Sequence, residues 1–188
     1  MTRIPSVLGT DDLSLAELCA ARIDGDVGAM HGVFVPVDEP DLPALRAAAL
    51  AVGIDRSLIL DRRSAAWVHG ALPVPPHELQ LCRSSTARST AHPGEPRIRE
   101  LVIAEDELVE YLGVRCTSPA RTAFDLLRDP EEPSHEVEQI VGRLLATHGD
   151  VERELRARLV TSARLPYRAL AVGRLARALD AAHPSATR

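Results

Sequence analysis

An α+β fold is what this sequence predicts: a small mixed or antiparallel sheet with helices packed on it, followed by a helical C-terminal third. Three observations carry the prediction. Short runs of strand formers between residues 33 and 116 are separated by Gly- and Pro-rich turns. From residue 137 onward the apolar residues recur at helical spacing instead. A chain of 188 residues with 45% hydrophobic content is long enough for one modest core, or for a small domain joined to a larger one.

Residues 13–24 predict a short helix. Leu15, Leu18, Cys19 and Ile23 recur at roughly helical intervals, Ser14 and Glu17 have the spacing of a capping box, and Gly25 stops the run. Val33, Phe34, Val35 and Val37 then form a short strand that Pro36 pushes to an edge. Helix, glycine turn and strand make a truncated winged-helix-like segment over residues 1–40, ahead of an α/β domain over 41–188. In that domain Asp41 is placed to cap a helix that Pro43 begins and Gly53 closes. Residues 57–60 are a short apolar run, and Asp61 is placed to cap a helix that ends at Gly70.

Two further strands, at residues 78–82 and 97–104, flank the polar loop 83–96, and this arrangement predicts an antiparallel pair. Another strand at 113–116 runs into the segment Arg115-Cys-Thr-Ser-Pro-Ala-Arg-Thr-Ala-Phe-Asp-Leu-Leu-Arg128. Three helices complete the chain. The first carries Val137, Ile140, Val141, Leu144 and Leu145; the second follows Asp150 and reaches Val160; the third spans 167–182.

Composition excludes several classes. There is no apolar run of about 18 residues, as a membrane span needs, and the N-terminus MTRIPSVLGTDD lacks the charged and apolar regions of a signal peptide, so the expectation is a cytoplasmic chain with no membrane partner. Cys19, Cys82 and Cys116 are far apart and odd in number, which predicts buried free thiols instead of a disulfide framework or zinc knuckle. All 22 basic residues are arginine. The net charge of -5 is unevenly spread: residues 1–72 hold 6 arginines against 10 acids, and residues 151–188 hold 8 against 3. The basic C-terminus fits either a solvated helical face or an acidic or nucleic-acid partner.

The segment ending at Arg128 gathers a cysteine, hydroxyls, an arginine and an aspartate, as a catalytic loop would. Its spacing is that of a strand-to-helix junction. Ser118 sits at the N-cap, Pro119 at the first helical position, and Ala120, Ala123, Phe124 and Leu127 form one apolar stripe. Arg121 and Asp125, four apart, predict an exposed pair on the other side. No Gly-x-Ser-x-Gly elbow surrounds the serine, the histidines lack metal-ligand spacing, and no phosphate-cradling glycine loop is present. The expectation is a protein without enzymatic activity, metal or cofactor.

Two motifs taken together, SAAWVHG at 64–70 and CTSPARTAFDLL at 116–127, resemble the AbiEi-type antitoxins of type IV toxin–antitoxin and abortive-infection systems. In that family a small winged helix precedes an α/β domain with an SAAxLHG helix and a VTSPxRTxxDLA strand-to-helix junction. Ser64, Ala65, Ala66, Trp67, His69 and Gly70 match the first motif. Thr117, Ser118, Pro119, Arg121, Thr122, Asp125 and Leu126 match the second, with Cys116 standing where valine is usual. Both read as fold signatures, and His69 reads as a satisfied, half-buried histidine at a helix end. Some members continue into a very-short-patch-repair-like endonuclease domain; the resemblance implies the short form, without that domain and its activity.

The resemblance implies a non-enzymatic antitoxin that neutralises a nucleotidyltransferase-type toxin and represses its own operon by binding promoter DNA. The candidate phosphate contacts are Arg22 and His31 in the N-terminal segment, Arg83, Arg88, Arg97 and Arg99 around the strand-connecting loop, and Arg164, Arg168, Arg174 and Arg177 at the C-terminus. Against this, the helix and strand over residues 13–37 hold Arg22 as their one arginine beside Asp24 and Asp26, which favours the alternative of a protein-interaction module without DNA contact. A degenerate nuclease is the third reading, and no carboxylate and lysine constellation supports it.

Overall fold

The structure, a computed structural model, describes residues 7–85, 98–161 and 165–182. The fold is α+β. It begins with α1 (Leu15–Asp24) and the hairpin of β1 (Val27–Met30) and β2 (Val33–Pro36). The capping box of α1 forms as the sequence predicts: Glu17 N donates to Ser14 Oγ at 3.3 Å, and Ser14 N donates to Glu17 Oε2 at 2.9 Å. Gly25 ends the helix with φ 83°, a left-handed conformation that costs glycine little. The hairpin turns on His31 (φ 47°) and Gly32 (φ 80°), a pair of positive-φ residues that matches the right-handed twist of the strands. Leu8, Leu18 and Val27 form a small cluster beneath, with Phe34 and Ala21 against it.

Then come α2 (Pro43–Leu50), β3 (Ile59–Leu60), α3 (Arg62–Val68), β4 (Leu81–Ser84), β5 (Arg99–Leu101), a 3-10 turn (Glu105–Glu107), β6 (Leu108–Tyr111) and β7 (Val114–Thr117). The five-stranded sheet has the order β5-β4-β3-β7-β6. Its two outer halves are joined through β3, which pairs parallel with β7 and antiparallel with β4. The predicted antiparallel pairing across loop 83–96 is overturned: β4 and β5 run parallel, with Cys82 opposite Arg99. The strand predicted at 97–104 is short, β5 covering only residues 99–101, and β6 was not foreseen; it forms a hairpin with β7 around Leu112 (φ 52°) and Gly113 (φ 82°).

Two predicted helix caps also differ. Helix α2 has Leu42 at its N-cap, and Asp41 binds the Arg46 guanidinium through two bonds of 2.6 Å. At α3, Asp61 holds the N-cap position without a side-chain cap bond; Gln80 instead accepts from Arg63 N at 2.8 Å.

The helical C-terminal part consists of α4 (Pro119–Arg128), α5 (Ser134–Thr147), α6 (Val151–Thr161) and α7 (Arg168–Ala182). The main core joins α4 to α7, with Ala66 and Ala71 reaching it from α3 and the turn that follows; a second core lies between α2, α3 and the sheet, around Leu50, Leu60, Trp67, Val68 and Leu81. Helix α3 therefore sits between the two cores and is buried on both sides. Among the described residues no helix is long and apolar enough to cross a membrane.

Arg174, expected as a phosphate contact, is instead an interior strut with 2% exposure. Its Nη1 donates to the carbonyls of Leu126 at 3.3 Å, Leu127 at 3.2 Å and Asp129 at 2.7 Å, its Nη2 to Glu132 O at 2.5 Å, and its Nε to Ser134 Oγ at 3.1 Å. The last carbonyls of a helix lack intrahelical partners and carry partial negative charge, so a guanidinium there satisfies both deficits for α4. Lysine has a compact head and cannot span five acceptors. Arg174→Lys is therefore expected to destabilise the protein by about 2–4 kcal/mol in urea unfolding, with carbonyls left unsatisfied in the interior.

Candidate functional site

The second motif lies where β7 passes into α4. Ser118 caps the helix, its Oγ accepting from Arg121 N at 3.3 Å, and Pro119 opens the first turn. Thr117 and Thr122 close the corner: their hydroxyls lie 2.7 Å apart, and the Thr122 hydroxyl also donates to Thr117 O at 3.2 Å. The corner is held from inside, and residues 120–127 are all buried.

That burial overturns one expectation. Arg121 and Asp125 do not form an exposed pair; the 3-10 turn before β6 covers them with Glu107. Arg121 Nε donates to Asp125 Oδ2 at 2.8 Å, and its Nη1 donates to Glu107 Oε2 at 2.5 Å and to Val102 O at 3.3 Å. Arg158 of α6 pairs with Glu107 from outside. A buried charge needs full pairing, and this guanidinium has it.

The first motif places its polar residues against the same corner. Ser64 Oγ accepts from Gln80 N at 2.8 Å, tying α3 to the approach to β4. Gly70 adopts φ 80° and ends the α3 turn. His69 is buried at 4% exposure, more deeply than the sequence suggests, because α3 is covered by both cores. Its Nε2 donates to Thr117 O at 2.7 Å, which fixes the neutral tautomer, and its Nδ1 faces the Tyr111 hydroxyl at 3.5 Å. Burial pushes the imidazole pKa down to about 4, with the neighbouring His148 acting in the same direction.

Cys116 lies 3.7 Å from His69 Nε2, the one cysteine–histidine contact in this corner. It is no activated thiolate. The thiol is fully buried, burial raises its pKa far above the ordinary range, and the nitrogen facing it already donates to a carbonyl. Cys82 is buried as well, whereas Cys19 is exposed on α1, contrary to the expectation of three buried thiols.

A charged cleft of about 330 Å³ opens beside α3 and the end of α4, with Arg62, Arg99, Arg128, Asp125, Asp129 and Tyr167 among its lining residues. Two of its arginines are matched by carboxylates. Arg62 Nη1 binds Asp129 at 2.8 Å, and Arg99 Nη1 reaches Asp61 at 3.3 Å. Burial raises the Asp61 carboxyl to about 6 despite Arg62 and Arg99 beside it. Among the described residues no group of three or more His, Cys, Asp and Glu is placed to hold a metal ion.

The candidate phosphate contacts are scattered. Arg22 is exposed on α1 and His31 lies at the hairpin tip; Arg83 and Arg99 sit on β4 and β5, partly buried. Arg168 Nε donates to Leu159 O at 3.0 Å and Arg177 pairs with Glu138 at 2.7 Å, so both already have partners on the helical face. Arg174 is buried, and Arg88, Arg97 and Arg164 lie outside the described residues.

Two apolar surfaces were missed by the sequence reading. One is a groove of about 570 Å³ between α6 and α7, floored by Leu159, Leu175 and Leu179 and edged by Val160 and Val172. The other is the outer face of α1, where Leu15, Cys19 and Ile23 point away from the hairpin. The signal was present in the helical spacing of these residues, which identifies an apolar stripe but not which side of the helix the rest of the chain covers. No family model matches the chain, and no curated protein matches it.

Neutral His69 sets a pH dependence. Its folded pKa of about 4 lies below the ordinary value of 6.5, so the unfolded chain binds the proton more tightly. Stability is lost as pH falls from about 6.5 to about 4, by about 3 kcal/mol. Asp61 acts oppositely between about 4 and about 6, because its folded pKa is raised. Urea unfolding of His69→Gln and the parent chain at several pH values isolates the histidine: the stability difference between them should shrink steadily as pH falls through that window.

Proposed function

We infer that this chain is a non-enzymatic, antitoxin-like protein that works by binding, with a nucleotidyltransferase-type toxin as its target. The observation that carries the reading is the state of the two motifs. Ser64, His69, Thr117, Ser118, Arg121, Thr122 and Asp125 each have a partner inside the protein. Side chains used in this way stiffen a scaffold. The chemistry left over is on the outside, as apolar faces and unevenly distributed charge, and such surfaces recognise macromolecules.

Control of the protein's own promoter is the second reading. It is favoured by the helix-and-hairpin unit, which presents Arg22 on α1 and His31 at the turn. The same unit carries Asp11, Asp12, Glu17, Asp24 and Asp26, and these carboxylates repel a phosphate backbone. Protein binding is therefore the stronger of the two.

Co-expression with a nucleotidyltransferase-like product of the adjacent reading frame tests the first reading. Rescued growth and a complex that co-purifies are expected; unrelieved toxicity with no complex would overturn it. Salt-titrated binding to the upstream DNA and to random duplex tests the second. At about 50 mM salt the expected outcome is weak binding with no preference for the promoter. Tight, salt-steep, promoter-selective binding that Arg22→Ala weakens would reverse the order of the two readings.

A further inference from the structure

Beside the core of α2, α3 and the sheet lies a cavity of about 250 Å³, bounded by the last turn of α2, the loop that follows it and the β6–β7 turn. Its deepest residues belong to that core: Leu60 and Leu81 are 2% and 5% exposed, and Ala48 and Leu58 beside them are half-buried. Val52 and Leu112, both exposed, stand at its mouth. Core side chains that border open volume lack van der Waals partners on that side, so an apolar body seated there gains contacts on every wall.

The charged residues at the cavity are Asp55, Arg56 and Arg115, and they do not cancel. Asp55 is turned to its own loop: its Oδ1 accepts from Ser57 N at 2.6 Å, and the Ser57 bonds, followed by the charge of Arg83, hold its carboxyl below the ordinary range. Arg115 Nη2 donates to Ser57 O at 2.7 Å, and Glu110, opposite it across the β6–β7 pair, forms no ion pair with it. Arg56 is exposed and has neither a hydrogen bond nor an ion pair among the described residues. Its Nη1 lies 3.8 Å from where a side chain on Gly113 would begin, which puts the guanidinium at the β6–β7 turn, on the edge of the cavity. Two guanidinium groups against one engaged carboxylate leave a single positive charge at an apolar mouth.

Size limits what enters. A dry cavity of about 150 Å³ takes benzene, and at the same ratio this one takes about ten non-hydrogen atoms. That is far too little for a helix, which is about 10–12 Å across with its side chains. One positive charge calls for one negative charge, and the planar fork of arginine suits a carboxylate through two parallel N–H bonds.

We propose that this cavity binds a small, free monocarboxylic acid with an apolar chain of about eight carbons. The chain lies against Leu60 and Leu81, and Arg56 holds the carboxylate at the mouth. The site does not depend on the toxin reading and is tested without a toxin.

Octanoate has the required size and is the probe. Titrated into nitrogen-15-labelled protein, it should shift the amide signals of residues 48–58 and 112–115, with a dissociation constant on the order of 0.1–1 mM, as expected for so few atoms. Octanol, the same chain without the charge, should bind about tenfold more weakly. Arg56→Gln alters an exposed position and should weaken octanoate about tenfold while leaving octanol unchanged. Ala48→Leu puts a good helix former into the cavity and should weaken both probes, with circular dichroism checking that each variant stays folded. A short peptide ending in a free leucine carboxylate should bind no better than its amide. Absence of saturable binding up to about 10 mM overturns the proposal. So does octanol binding as tightly as octanoate, an Arg56→Gln variant that binds octanoate like the parent, or signal shifts centred on the groove between α6 and α7. A peptide acid that outcompetes octanoate also overturns it, since the cavity would then hold the end of a protein chain.

Discussion

Helix α4 is buried along nearly its whole length, and this imposes the constraint that organises the protein: every polar group it carries must be satisfied from within. Two arginines meet that demand from opposite ends. Arg121, in the first turn, is held between Asp125 of the same helix and Glu107 from the turn before β6. Arg174 reaches from α7 to the open carbonyls at the far end. One arginine thereby fixes the edge of the sheet to the helix, and the other fixes the last helix to it. The hydroxyls of Thr117 and Thr122, with the cap at Ser118, set the corner between them.

The same constraint explains which parts of the structure could be read from the sequence. The junction was legible because Ser118, Pro119 and the stripe through Phe124 are local signals, acting within one turn of chain. So were the capping box of α1 and the helical spacing from Val137 to Leu144. Sequence spacing does not reveal what lies across from a residue. Glu107, fourteen positions before Arg121, turned an apparently exposed pair into a buried triad. Arg174 looks basic and solvent-facing in the sequence, yet its partners are carbonyls about forty-five positions away. Strand direction was hidden in the same way, since the parallel pairing of β4 with β5 depends on a loop whose length permits either sense.

Burial separates chemistry from surface here. Titratable groups that could do chemistry in the open, Cys116 and His69 at the corner and Asp61 at the start of α3, are enclosed and shifted toward their neutral forms. The outside carries the opposite pattern: an acidic helix and hairpin at one end of the chain, and arginine-edged apolar helices at the other. In the binding role proposed above, specificity resides in shape and field, and the interior serves to keep those surfaces in fixed relation.

The middle strand of the sheet, β3, is only two residues long, and both neighbours come later in the chain, β4 about twenty positions on and β7 more than fifty. During synthesis Ile59 and Leu60 leave the ribosome well before β7 exists. One side of β3 has no strand neighbour until the segment ending at Thr117 has emerged. The middle of the sheet is thus closed by the segment that also starts α4, a non-local pairing of the kind that slows folding.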